Sequence, residues 1–326
     1  MNHQLLHLEA AHSAIASGKT LLFAGTERLL ESLPPGNWIG GTIPYFMTDH
    51  GGKCSTDRVF CTELPPELPF KGIRSYDSSG LDRLYTDAAG ATAAFILIPG
   101  MSQIHFDFAL RAPELPQFGM SPLVGWIAGV HLEDLGKRSP RVFSGLGDST
   151  TEEAVVLHTG YNPATPPVVD IINVFEPGNG PVIEFPENSF EAATCSIDGH
   201  ETRFSDYLIT QQIDCRLPLV ANVGGAMVNV SIQKIHRDRK QVTLYAPVFS
   251  GIEYRFASAI EDYTGLFQST VLQRPVSTVA FSCNCILNYL YSFLEGKKLD
   301  RFPGPFTFGE IAYQLLNQTL VSLELP

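Results

Sequence analysis

Near the end of this sequence, Phe281-Ser282-Cys283-Asn284-Cys285 closes an apolar run just before a segment of helix formers, Ile286 to Glu295. A thiol that ends a strand and faces the start of a helix has its thiolate favoured by the helix dipole. Cys283 is therefore a candidate nucleophile or ligand contact, with Asn284 beside it. The competing reading is that a buried cysteine packs as a small hydrophobe. Downstream, Gly309-Glu310-Ile311 and Asn317-Gln318-Thr319 set Glu310, Asn317 and Thr319 close to aromatic residues, where polar groups need partners if they are buried. Two readings of this trio stay open. In one, Glu310 caps a turn and Asn317 bridges loops; in the other, the three side chains rim a pocket and hold the amine or carboxylate of a small polar ligand.

A second candidate place is Gly40-Gly41-Thr42, which follows a short apolar strand pattern, because glycine lets a ligand approach the backbone. Neither G-x-G-x-x-G nor G-x-x-x-x-G-K-[ST] occurs, so the dinucleotide and P-loop readings fail on spacing. Gly51-Gly52, Gly178-Asn179-Gly180 and Gly224-Gly225 read as turns that require positive φ. His105, His131 and His158 are placed to act as general bases or as hydrogen-bonded structural residues. The Cys283/Cys285 pair lacks a second cysteine pair such as C-x-x-C to complete four ligands, so no metal is expected there.

These residues need elements to position them. In the first half, helix and strand signals alternate: helix from Leu8 to Ser17, strand from Thr20 to Ala24, helix from a Thr26 cap, and strand from Trp38 to Ile43. Val59 to Glu63 and Gly72 to Tyr76 follow as strands, then Ser79 to Ala88 as a helix, Ala93 to Ile98 as a strand and Met101 to Leu110 as a helix. Leu123 to Val130 and Ala154 to His158 complete that half as strands. The Pro-rich stretch Gly160 to Pro167 cannot continue a central strand, and the domain boundary is set there. Beyond it, Val168 to Phe175, Val182 to Phe185, Leu219 to Ala221, Ala226 to Gln233, Gln241 to Pro247 and Val276 to Ser282 are strand-like, with Ile286 to Glu295 as the clearest helix. The expected fold is α/β, with α+β character in the second half: two layered domains, residues 1–165 and 166–326, with mixed sheets flanked by helices.

Composition narrows the function classes. At 326 residues, with 44% hydrophobic and 17% charged, the chain can bury a large core and its length favours two domains. A net charge of −12 argues against a nucleic-acid partner, which calls for a basic footprint. No apolar run reaches the roughly 18 residues of a membrane helix, and Met1-Asn2-His3-Gln4 lacks a signal-peptide pattern, so the cytoplasm is the expected compartment and no membrane is expected as partner. The six cysteines, Cys54, Cys61, Cys195, Cys215, Cys283 and Cys285, are then expected as reduced thiols.

The C-terminal segments resemble the C-terminal domain of the FIST family of small-ligand sensors. The resemblance rests on Phe281-Ser282-Cys283-Asn284-Cys285, Gly304-Pro305-Phe306-Thr307-Phe308-Gly309-Glu310-Ile311 and Leu316-Asn317-Gln318-Thr319-Leu320-Val321. Asn37-Trp38-Ile39-Gly40-Gly41-Thr42-Ile43 and Cys195-Ser196-Ile197-Asp198-Gly199-His200 extend it, although His200-Glu201 stands where that family has Lys-Pro. The resemblance implies a cytoplasmic sensor that binds a small metabolite such as an amino acid in a cleft shared by two domains, with output through a separate protein partner. Some members of that family bind haem through a histidine, but no motif carries that ligand to a numbered residue here, so no cofactor is expected. The alternative is a cysteine-dependent enzyme that acts on a small metabolite, with Cys283 as nucleophile and His105 or His158 as base.

Overall fold

In the computed structural model, which describes residues 3–326 apart from Ala89, Gly224, Gly225, Pro275, Val276 and Asp300, the strand His3–Leu6 and the helix Leu8–Ala16 lead into a parallel β-α-β unit that begins at Leu21. The apolar run Leu21–Gly25 is buried along its whole length, as a strand covered on both faces must be. Thr26, in an extended conformation, starts the short helix Glu27–Glu31, and Trp38–Thr42 returns parallel to Leu21–Gly25 with Gly40 opposite Phe23. The Thr26 side chain makes no capping hydrogen bond, so the backbone geometry alone begins that helix. His3–Leu6, Val59–Glu63, Val142–Ser144 and Ser149–Thr150 complete this first sheet of six strands.

Two more six-stranded sheets pack face to face. One has the order Gln314–Leu316, Glu310–Ala312, Leu123–Ala128, Thr92–Pro99, Ala154–Gly160 and Phe70–Tyr76. The other runs Val168–Ile172, Leu320–Leu325, Thr278–Cys285, Gly304–Thr307, Tyr45–Thr48 and Gly51–Cys54. Each is mixed: Thr92–Pro99 lies parallel to Leu123–Ala128, and Thr278–Cys285 parallel to Gly304–Thr307, while their other pairs are antiparallel. Between them the Trp126 and Phe281 rings stack at 5.8 Å, and Phe95 meets Phe281 edge-on at 5.8 Å. Three smaller sheets of three strands each lie between Ile183 and Phe256. The protein is therefore a mixed α/β structure with layered sheets and few helices, as the pattern of periodicities predicts.

Strands from both sides of residue 165 share the two packed sheets. Glu310–Ala312 pairs with Leu123–Ala128, and Gly304–Thr307 with Tyr45–Thr48. Residues 162–166, within the Pro-rich stretch, are exposed, whereas Gly160 still belongs to the buried strand Ala154–Gly160.

Several elements differ from the sequence pattern for local reasons. The helix expected from Ser79 to Ala88 contracts to the 3-10 turn Leu81–Arg83, preceded by Asp77, whose carboxylate accepts from the Gly80 N–H at 2.7 Å. The stretch Ala226 to Gln233 splits at Ser231 into Ala226–Val230 and Ile232–His236. The C-terminal helix ends at Tyr291, shortly before Phe293 turns left-handed at φ 52. The helices Phe204–Thr210 and Tyr263–Leu272 have no counterpart in the sequence reading. Of the glycine turns, Gly51 has positive φ (106), Gly52, Gly178 and Gly180 do not, and Gly224-Gly225 lie outside the described residues, as does Val276. Among the described residues no helix is long and apolar enough to cross a membrane.

Candidate functional site

The C-terminal segment crosses the sandwich. Gly304–Thr307 lies beside Thr278–Cys285 in one sheet, with Thr307 opposite Cys285. After the Phe308-Gly309 turn, Glu310–Ala312 joins the other sheet, where Glu310 sits opposite Trp126. Tyr313 (φ 64) turns the chain into Gln314–Leu316, and Asn317 and the left-handed Gln318 (φ 52) return it to Leu320–Leu325 in the first of these sheets. This path carries polar residues through the interior, and every one of them must find a partner there.

They find each other. The Glu310 carboxylate oxygen Oε2 accepts from the Thr319 N–H at 3.2 Å and from the Thr319 hydroxyl at 3.0 Å, and Thr307 Oγ1 stands 3.4 Å from Oε1. Asn284 Oδ1 accepts from the Cys285 N–H at 2.7 Å and from Asn288 Nδ2 at 2.9 Å. Asn317 Oδ1 accepts from the Ser231 N–H at 3.2 Å, and its Nδ2 lies 3.8 Å from the Cys285 sulfur. Asn284, Cys285, Glu310, Asn317 and Thr319 thus form one buried cluster, none of them more than 3% exposed. Burial pushes the Glu310 pKa up from 4.5 to about 8, against the lowering effect of its hydrogen bonds from Thr319, so the carboxyl is held largely protonated at neutral pH. A pocket-rim position for Glu310 is corrected: it is wholly buried between the sheets and meets its own chain.

Cys283 borders this cluster. Its thiol donates to the Gly125 carbonyl oxygen at 3.3 Å, and burial followed by the neighbouring Glu310 pushes its pKa well up. The same two causes raise Cys285. Activation by the helix dipole is therefore overridden, since a six-residue helix does not repay removal of a thiolate from water. Neither histidine named as a base is hydrogen-bonded to Cys283. His158 Nε2 faces the Tyr76 hydroxyl at 3.4 Å, and His105 lies elsewhere.

The structure does not bring Gly40, Gly41 and Thr42 to the C-terminal cluster. They belong to the first sheet, and a Cβ on Gly41 would stand 2.9 Å from the Trp126 indole nitrogen, so packing rather than ligand approach accounts for the glycine. Gly40 is closed in by Leu30, Phe23 and Trp38 in the same way. Thr42 Oγ1 accepts from the Arg141 N–H at 2.9 Å and borders a separate surface cavity with Thr26, Arg28 and His131.

Beside the buried cluster lies a cavity of about 300 Å³. Cys285 and Asn317 form part of its wall, and Phe106, Ile127, Phe190, Tyr245, Leu287 and Phe308 make most of the remainder apolar. His105 completes it. Ser102 caps the helix Gln103–Arg111 by accepting from the His105 N–H, which fixes the ring near the helix start. The ring stacks on Phe106 at 5.3 Å and meets Phe190 edge-on at 5.6 Å. His105 Nδ1 accepts from the Met101 N–H at 3.1 Å, so in the neutral ring the proton sits on Nε2, and that nitrogen has no partner. Burial lowers the His105 pKa to about 4, which keeps the ring neutral at physiological pH. The cavity therefore has mostly apolar walls, with Asn317 and with His105, a residue only 6% exposed that carries an unpaired ring nitrogen, among its lining. Periodicity could mark Gln103–Arg111 as a helix with His105 in its first turn, but no local signal identifies Phe190, Tyr245 or Phe308 as its companions.

No curated protein and no solved structure matches the chain. The resemblance to FIST proteins is corrected by the family comparison, because no FIST model matches, and the model that does match spans every segment on which the resemblance rested. The chain belongs to DUF6976, a family of unknown function, whose model matches residues 6–326.

Proposed function

We propose that this protein is a binding module for a small, mostly apolar molecule that carries a carbonyl or carboxyl oxygen, held in the cavity between His105 and Asn317. The observation that carries this reading is the unpartnered His105 Nε2, a buried donor in an apolar wall. Such a donor costs stability until an acceptor arrives, so an oxygen that accepts from it binds with that cost relieved. The cavity volume lies at the lower end of the range usual for small-molecule sites, about 300 to 1,000 Å³. A free amino acid suits it less well, because a zwitterion would lose the hydration of both charges against mostly apolar walls. Binding without chemistry is favoured over cysteine catalysis by the raised pKa values of Cys283 and Cys285. A sensory role, in which a separate protein partner reads the occupied state, is compatible with binding without catalysis, and six unpaired cysteines suit the reducing cytoplasm.

The test is a thermal-shift series with 2-octanone, octanoate and octane on the wild type and His105→Phe. The ketone or the acid should raise the wild-type midpoint, by about 2.7 kcal/mol of stability at a hundredfold excess over Kd. The response should disappear in His105→Phe, and octane should do less than either oxygen-bearing probe. Equal shifts by all three probes, equal shifts in both proteins, or no shift at all would remove His105 from any binding role.

A further inference from the structure

A second cavity, of about 370 Å³, is more polar than the first. Asn317 borders the apolar cavity and the next residue, Gln318, borders this one, with Ser231 bonded to both side chains. Its wall mixes apolar residues such as Phe175 and Ile260 with charges of both signs: Asp214, Arg216, Glu261, Asp262 and Lys297. Arg216 and Asp214 neutralise one another in an ion pair of 2.7 Å. Lys297 spends one of its three donor positions on the Ser292 carbonyl at 3.1 Å, while Asp262 accepts from the Gly265 N–H at 3.0 Å. With the ion pair set aside, two carboxylates face one ammonium, so the lining is net negative.

Deeper in, the wall holds Asn288, which is 1% exposed. Its Nδ2 is committed to Asn284 Oδ1 at 2.9 Å and lies 3.5 Å from the Thr319 carbonyl, which settles the orientation of the amide. Its Oδ1 has no partner. A buried amide oxygen left without a donor is costly, and a group that donates to it from the cavity removes the penalty. Gln318, on the same wall, holds a left-handed conformation (φ 52) that a non-glycine residue adopts only when its surroundings dictate it.

We infer that this cavity is a second binding site, for a small primary amine whose ammonium donates to Asn288 Oδ1 and is attracted by Glu261 and Asp262. The amine supplies the hydrogen-bond donor that Asn288 lacks, and its charge matches the net negative wall. A carboxylate would meet Asn288 through two acceptors facing each other and would be repelled at the rim. A neutral polyol could donate to Asn288 but gains nothing from the carboxylates.

Calorimetric titration of the full chain with ethanolamine, putrescine, glycerol and acetate tests this. Ethanolamine or putrescine should bind, and added salt should weaken the binding. Glu261→Gln, at an exposed position where folding is little affected, should raise Kd roughly two- to fivefold. Asn288→Leu, of similar volume and without the amide oxygen, should raise it roughly tenfold or more. If that variant does not fold, Glu261→Gln and the salt series still decide. Absence of heat with both amines, affinity for acetate or glycerol equal to that for the amines, or Kd values unchanged by salt and by Glu261→Gln would each overturn the assignment. Because 2-octanone and octanoate probe a different cavity, failure of the His105 reading leaves this test intact.

Discussion

Replacing Glu310 by glutamine probes the buried cluster through its pH dependence. In the folded protein the carboxyl is wholly buried and burial raises its pKa to about 8, whereas the unfolded chain exposes it at its ordinary 4.5. Between those values the folded state holds a proton that the unfolded state has released, so stability falls as pH rises from 4.5 to 8 and levels off above. Below pH 4.5 both states are protonated and the group contributes no slope. A gap of about 3.5 pH units at 1.4 kcal/mol each amounts to a loss on the order of 5 kcal/mol across the window. Glutamine keeps the shape: its carbonyl oxygen can accept from the Thr319 N–H and hydroxyl as Oε2 does, and its amide replaces the carboxyl O–H on the side of Thr307 and Cys285. It does not titrate. Urea unfolding followed by the fluorescence of the buried Trp126 and Trp38, at intervals from pH 5 to pH 8.5, should therefore give wild-type and Glu310→Gln midpoints that agree near pH 5. They should separate by several kcal/mol in favour of the variant by pH 8. Parallel curves would refute the argument, since they would mean that Glu310 is ionised in the folded protein. A loss of about 1 to 3 kcal/mol at every pH would mean that a charged acceptor is required.

Two further outcomes are expected. Gly41→Val should lower stability by about 1 to 3 kcal/mol through overpacking against the Trp126 indole, which stands 2.9 Å from the first added carbon, and an unchanged melting temperature would show that the indole can move aside at no cost. Limited proteolysis should cut first within the exposed residues 162–166, yet the two fragments should elute together under native conditions, because Glu310–Ala312 and Gly304–Thr307 remain paired with strands of the first half. Separation of two folded fragments would instead establish residues 1–165 and 166–326 as independent units.

Local pattern made much of the architecture legible. Val59–Glu63 occupies the residues its β-branched and aromatic content marks, and Leu21–Gly25, Trp38–Thr42 and Thr92–Pro99 differ from expectation by one or two residues at their ends. Strand and helix periods depend on neighbours in sequence, and there the sequence suffices. It also marked Glu310, Asn317 and Thr319 as polar residues close to aromatic ones; Glu310 and Thr319 bond one another, whereas Asn317 accepts from the Ser231 N–H. What neighbours in sequence cannot decide is which atoms meet across the interior. Cys283 and Cys285 share one face of a strand by alternation, yet one thiol ends on the Gly125 carbonyl between the sheets and the other on a cavity wall, because the segment 304–319 crosses the sandwich beside the second. The charge state of Glu310, the free nitrogen of His105 and the free oxygen of Asn288 likewise depend on desolvation by residues distant in the chain. Both cavities are products of that long-range packing, which only the tertiary structure sets.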